Sequence, residues 1–368
     1  MFGGWLDKSR WPIGLEIASH ALRAVQLAWD DRKWKVLSAA TAPFPAEMPT
    51  DETERQATLQ RLLEQLLSAG EFQGNQVVSC LPPSAMQYKN LRLPPMPANE
   101  LNKAVQWEAT DRLKFDSQYQ IQHFDAGEVR QGEETRREIL LLAAPVRAIE
   151  QHVTMLQSAG LEPVAIDAAP AALARWAAAM DPDPEATQCV LSIDTDVSNV
   201  LIARQGRVLF FKPIELGTLQ VDEAIATHLS LSLIDARDLR RTRASAISGS
   251  ATEGGPDQQH ISRAIGDALR GPLMELSREI GLCLRYYGVT FRGRRPEDLQ
   301  IVGELANEPL LAELLPSAAG LAVATDVSRD YIDWPQSLED AARQAPQLAL
   351  AAGLSMRSKD TAANKGAA

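Results

Sequence analysis

A duplication constrains this chain more than any other feature. An apolar strand ending in a carboxylate, a short polar turn, a second apolar strand, a charged turn and a third strand occur twice. The first copy runs Pro12-Ile13-Gly14-Leu15-Glu16-Ile17-Ala18-Ser19-His20, then Leu22-Arg23-Ala24-Val25-Gln26-Leu27 and, past Asp30-Asp31, Trp34-Lys35-Val36-Leu37. The second runs Val190-Leu191-Ser192-Ile193-Asp194-Thr195-Asp196-Val197-Ser198, then Val200-Leu201-Ile202-Ala203 and, past Gln205-Gly206, Val208-Leu209-Phe210-Phe211. A turn of this kind can point backbone N–H groups at an anion while its acid holds a hydrated divalent cation. Two copies therefore fit two related α/β halves that grip a nucleotide's phosphates from both sides. The alternative is a pair of ordinary hairpins whose acids face solvent.

The rest of the composition narrows the field by exclusion. At 368 residues with 45% hydrophobic side chains, the chain can form two or three cored domains without staples. A net charge of -11 argues against a nucleic-acid partner, and the basic run Arg237 to Arg243 reads as a solvated helix face. Cys80, Cys189 and Cys283 lie far apart and read as core thiols in a reducing compartment. The five histidines show no metal-ligand spacing, so an ion held by imidazole or thiolate is not expected. No apolar run is long enough to span a bilayer, which points to a cytosolic protein. Met1 to Trp11, with Phe2, Trp5, Leu6 and Trp11 beside Lys8 and Arg10, reads as a flexible leader or as a segment that touches lipid or a partner.

Between and after the hairpins the periodicity predicts further elements. Thr50 can cap a helix carrying Leu59, Leu62, Leu63, Leu66 and Leu67 that ends at Gly70, followed by a strand over 76–81. Residues 82–168 read as an insertion: a strand, a helix from Pro97 to about Arg112, extended segments at 118–128 and 138–144, a helix over 146–159 and a strand over 162–166. Asp181-Pro182-Asp183-Pro184 marks a boundary. Beyond the second hairpin come helices at 219–229 and 233–243, a mobile loop at 244–256, a long helix at 261–288, a strand at 299–302 and a last helix at 337–354 that packs back on the first half. Residues 357–368 read as a disordered tail.

Within the insertion, Leu93-Pro94-Pro95-Met96-Pro97-Ala98-Asn99-Glu100-Leu101-Asn102-Lys103-Ala104-Val105-Gln106-Trp107-Glu108-Ala109 resembles the PilM family, the actin-like cytoplasmic components of type IV pilus assembly, related in fold to the division protein FtsA. The family's LPxM, EL, AV and EA elements are all present. Further matches are Ala159-Gly160-Leu161-Glu162-Pro163 with Asp167, the second hairpin with Asp194, and Ala352-Gly353-Leu354-Ser355-Met356-Arg357. The motif is also intelligible as packing: Pro97 opens a helix, Glu100 sits at its positive end, and Leu101, Ala104, Val105 and Glu108 fall on neighbouring faces.

The resemblance implies an α/β actin-like ATPase fold with two ribonuclease-H-like domains and an inserted FtsA/PilM-type subdomain. On that plan 1–11 is a leader, 12–81 plus 337–356 the first actin-like domain, 82–168 the inserted subdomain, 169–336 the second domain with a helical subdomain at about 234–295, and 357–368 the tail. It also implies an ATP and magnesium site formed by Glu16, Ser19, Asp194, Asp196, Ser198, Arg240 and Gly303, with Glu16 and Asp194 toward the metal. This chain departs from the pattern there. Relatives carry a DxG turn after each first strand, where glycine lets the backbone approach a phosphate. Here Glu16-Ile17-Ala18 and Asp194-Thr195-Asp196 replace them, and Asp196 sets a carboxylate where a phosphate should dock. Arg237 stands where a Glu is expected, Arg240 replaces a Lys, and Gly303-Glu304 replaces a double glycine.

The expectation is thus weak or absent ATP binding and negligible turnover. The resemblance implies a non-catalytic scaffold at the inner-membrane face, with a groove near the insertion that takes the N-terminal cytoplasmic peptide of PilN. It further implies a homo-oligomeric ring tied to the inner-membrane platform and its motor ATPases. Two alternatives remain open: an active ATPase or kinase in which Asp194 or Asp196 acts as base, and the cytoplasmic part of a type II secretion or mannose-sensitive pilus component.

Overall fold

A computed structural model of the chain describes residues 10–30, 33–45, 47–112, 118–131, 133–248, 256–291, 295–325 and 328–357. The duplicated hairpins each open a sheet. In the first half β1 (Arg10–Ile17), β2 (Ala21–Asp30) and β3 (Lys33–Pro43) form an antiparallel meander. After helix α1 (Glu52–Ala69), β4 (Gln76–Cys80) returns parallel to β1. The insert follows as β5 (Gln87–Leu93), α2 (Ala98–Asp111), β6 (Tyr119–Gln131) and β7 (Glu134–Pro145); then come α3 (Val146–Ser158), β8 (Glu162–Asp167) and α4 (Ala169–Ala179). The second half repeats the meander with β9 (Thr187–Ile193), β10 (Ser198–Arg204) and β11 (Arg207–Ile214). It continues through α5 (Thr218–Leu229), α6 (Leu233–Ser248), α7 (Pro256–Phe291), β12 (Asp298–Gly303), α8 (Pro309–Ala319), β13 (Ala322–Thr325), α9 (Ser328–Tyr331), β14 (Ile332–Asp333), α10 (Glu339–Ala342) and α11 (Ala349–Ser355).

The sheet orders make the duplication explicit. The first reads β14-β3-β2-β1-β4-β8 and the second β11-β10-β9-β12-β13. Both therefore share one five-strand order, with the acid-ended strand at the centre. Central strands are covered on both faces, and β9 is accordingly buried at every residue. The two acids then lie at equivalent strand ends, which face each other across the molecule.

Helices α4 and α11 join the lobes. Leu173, Trp176 and Ala177 of α4 and Ala349, Ala351 and Ala352 of α11 share one core with Val25 and Leu27 of the first sheet and Val190 and Leu201 of the second. Small residues let these backbones approach. A Cβ on Gly14 would sit 1.9 Å from the Ala351 carbonyl oxygen, and one on Gly353 would sit 2.2 Å from that of Ala172. Ser355 adds polar closure, donating its hydroxyl to Pro12 O at 2.7 Å and accepting from Leu27 N at 3.1 Å.

Several elements differ from the sequence expectation for local reasons. Asp51, not Thr50, caps α1, its carboxylate accepting from Glu54 N at 3.0 Å. The insert is a three-stranded sheet, β5-β7-β6, against which Leu101, Val105 and Ala109 of α2 pack. Strand β8, expected to close that insert, instead pairs with β4, and Leu156 of α3 enters the first lobe's core. Strand β14 likewise joins β3. The single helix expected over 337–354 is broken into short turns before α11, because Pro346 lacks an N–H donor and restricts the residue before it. Of the loop expected over 244–256, residues 244–248 extend α6 and 249–255 lie outside the described residues, as do 1–9 of the leader and 358–368 of the tail. The three cysteines are free and buried. Among the described residues no helix is long and apolar enough to cross a membrane.

Candidate functional site

The ends of β1, β9 and β12 deliver the acids that the sequence singles out. Glu16 faces Arg23 across the β1–β2 hairpin, and the Arg23 guanidinium donates to Glu16 Oε1 at 3.2 Å. Glu16 Oε2 and Arg23 Nε are buried without partners among the described residues. Burial raises the Glu16 pKa against the pull of Arg23. Asp194 is half-buried, and burial together with the charge of Glu16 pushes it up to about 7 despite Arg23.

Glu304 fills the space between the lobes. Gly303, at φ +93°, turns β12 so tightly that a Cβ there would meet Ile193 O at 2.2 Å, and Glu304 N donates to that same oxygen. The Glu304 side chain is thereby aimed at four cationic or donor groups. Arg240 and Arg241 of α6 each approach it at 3.2 Å, Arg23 of the other lobe lies at 3.7 Å, and His20 contacts Oε1 directly. Burial works to raise the Glu304 pKa, but His20 and the arginines outweigh it and hold the carboxyl below the usual range. Because Glu304 is a carboxylate, His20 must present Nε2–H to it, and burial keeps the imidazole neutral. His20 Nδ1 then accepts from the Thr195 hydroxyl at 2.8 Å. Ser19 Oγ completes the crossing by donating to Asp196 Oδ2 at 2.8 Å.

The remaining expected site residues are engaged elsewhere. Ser198 is buried and spends its hydroxyl on Leu216 O at 2.5 Å, so it offers nothing to a turn ligand. Arg240 is buried and donates to Asp222 Oδ1 at 2.5 Å as well as to Glu304, while Arg237 reaches Asp222 at 3.4 Å. Glu16, Ser19, Asp194, Asp196 and Arg240 are brought to one cleft, and Gly303 shapes it. Sequence reasoning missed His20, Arg23, Thr195, Asp222 and Arg241. Arg23 was findable, since residues 16 and 23 flank the tight turn at Ala18–Ala21 and must pair. Among the described residues no group of three or more His, Cys, Asp or Glu is arranged to hold a metal ion.

An open groove of about 1500 Å³ runs beside this cleft and shares Ser19 and Asp196 with it. Its walls are α1, α3, the Pro82–Met86 turn and the Val197, Asn199 and Pro213 edge of the second lobe, over an apolar floor that includes Ile17, Phe44, Leu59, Leu81 and Met155. His152 of α3 lies on it, only 7% exposed and depressed to about 4 by burial.

The matched sheets with acid-ended first strands, joined by α4 and α11 and carrying a three-stranded insert, define an actin-like ATPase fold. That fold is shared with EutJ from Carboxydothermus hydrogenoformans (TM-score 0.54, 13% identity, 95% of this chain and 90% of that one) and with MreB 5 of Spiroplasma citri bound to AMPPNP (0.50, 10%, 98% and 99%). A chain of a PilM-PilN type IV pilus biogenesis complex superposes at TM-score 0.73 with 24% identity over 94% of this chain and 98% of that one. A comparison with curated proteins finds no match. The sequence profile described as Type IV pilus assembly protein PilM matches residues 14–253, and the chain belongs to that family.

Proposed function

We propose that the protein is a non-catalytic, cytoplasmic scaffold of type IV pilus assembly whose groove takes the N-terminal peptide of PilN at the inner-membrane face. One observation carries this reading. The polar cleft between the lobes is crossed by the chain's own ion pairs, whereas the open, apolar cavity lies against α1 and α3. An extended peptide with apolar side chains suits such a cavity, since burial of alternate side chains supplies affinity without any reacting group. The likeness to a chain of a PilM-PilN complex supports the choice of peptide. On this reading the protein assembles as a ring and links the membrane platform to its motor ATPases.

The residues present do not fit a nucleoside triphosphate. Glu304 already engages the cations that would meet phosphates, Asp196 adds a second carboxylate at the turn, and neither turn keeps the glycine that a close phosphate requires. Lobe closure is held instead by Glu304, His20, Thr195 and the Ser19–Asp196 bond.

Fluorescence anisotropy with a labelled synthetic peptide of the PilN cytoplasmic N-terminus tests the groove. Saturable binding is expected, and Ala57→Trp, at an exposed helix position on the groove wall, should abolish it. A folded wild-type protein that ignores the peptide refutes the scaffold reading. Calorimetric titration with ATP and magnesium should give no binding heat, and tight magnesium-dependent binding refutes the closed-cleft half.

A further inference from the structure

The charged residues around the groove's apolar floor are mostly acidic. Glu52 and Glu64 of α1, Glu150 of α3, and Asp196 and Glu215 of the second lobe line it, against two arginines, Arg55 and Arg147. Among the described residues these carboxylates have no cationic partner: Glu52 accepts from Gln56, Glu64 from Gln60 and Asp196 from Ser19. Five acids facing two bases leave an uncompensated negative field over an apolar floor, and such a cleft concentrates cations.

His152 makes a second, independent observation. Ser79 donates its hydroxyl to Leu15 O at 2.8 Å, so the 3.0 Å contact between Ser79 Oγ and His152 Nε2 must have the imidazole as donor. That fixes the tautomer and leaves Nδ1 as an acceptor, with no partner among the described residues. His152 lines the groove and is held from behind by Ser79, and its Nδ1 is not fully enclosed, so a donor on the occupant can reach it.

The second lobe contributes the far wall. Asp196 Oδ2 is taken by Ser19, and Oδ1 remains for an incoming donor, so a ligand cation can add there without breaking the contact between lobes.

Resting on the peptide-groove reading above, we propose that the occupant carries a Lys or Arg seated between Asp196 and Glu215, so that the peptide is read by both lobes and not by the first lobe alone.

The same labelled PilN peptide is compared with one in which every Arg is citrulline and every Lys is acetyl-lysine, each titrated against the full chain and against Asp196→Asn/Glu215→Gln. Both positions are exposed, so the double variant should keep its fold, which circular dichroism verifies. Neutralising the peptide should weaken binding to the wild type about tenfold, as the loss of one charge-assisted hydrogen bond predicts. The double variant should bind the charged peptide about tenfold more weakly and lose nothing further with the neutral one. Equal binding of both peptides by the wild type overturns the proposal and leaves the groove reading standing. An undiminished preference for the charged peptide in the double variant overturns the placement at Asp196 and Glu215. Failure of both peptides to bind folded wild type removes the proposal and the underlying reading together.

Discussion

Replacing Asp194 by Asn should stabilise this protein above neutral pH while leaving it unchanged in acid. The Asp194 carboxyl titrates at about 7 in the fold against an ordinary value of 3.8, because burial and the charge of Glu16 oppose its ionisation. The folded state therefore holds a proton that the unfolded chain has already released. By linkage, that contribution is complete below about pH 4, declines as pH rises, and is gone above about 7. A displacement of roughly three pH units at about 1.4 kcal/mol each sets a ceiling near 4 kcal/mol. Asp194 is only half-buried, and water screens part of the repulsion, so about 1–2 kcal/mol is expected. Urea unfolding of wild type and Asp194→Asn at pH 4 and pH 8 measures it. The two should coincide at pH 4 and separate at pH 8, with the variant the more stable. A gap of equal size at both values, or none at pH 8, refutes the reasoning. Repeating the pH 8 series in millimolar magnesium chloride separates two causes. If magnesium stabilises the wild type but not the variant, Glu16 and Asp194 hold a cation, and the closed-cleft reading fails.

Two further substitutions probe the lobe contacts. Glu304→Ala leaves the buried Arg23 and Arg240 facing each other without the carboxylate between them, and should cost about 3–5 kcal/mol in chemical denaturation. Because the Glu304 pKa is depressed, this penalty is full near neutrality and shrinks as pH falls from the ordinary carboxylate range towards the lower folded value, since the unfolded chain takes up a proton there before folded Glu304 does. Gly353→Ala would gain about 1 kcal/mol of helix propensity, but its Cβ would lie 2.2 Å from Ala172 O. A net loss of about 2 kcal/mol or more is expected, read as a lowered urea midpoint at unchanged slope; a stabilised variant would show that the α4–α11 approach is looser than described.

The duplicated lobes were legible because a central strand must be apolar along its length and end where the sheet ends, and both properties lie in consecutive residues such as Val190 to Asp194. The insert's helix was legible from Pro97 at its start and from Leu101, Ala104, Val105 and Glu108 on neighbouring faces; Ala109 joins that packed face in the fold. What escaped were matters of distance along the chain. Strand β8 follows the insert in sequence, yet it pairs with β4, whose register depends on a fold already closed. Glu304 was visible as a departure from glycine, but its partners come from the β1–β2 turn and from α6, and nothing local to residue 304 names them. Ser198 shows the converse error: a hydroxyl at the right turn counts for little once Leu216 O claims it. Pro346 was in plain view and should have broken the last helix on paper.

The seam between β1 and α11 carries a consequence for how the molecule is made. Ser355 closes on Pro12 across 343 residues, and Gly14 touches the carbonyl of Ala351. During translation the β1–β2 hairpin has no lid, and its oily flank faces water until α11 has been made. A nascent chain stalled before α11 would leave that flank of the first lobe uncovered.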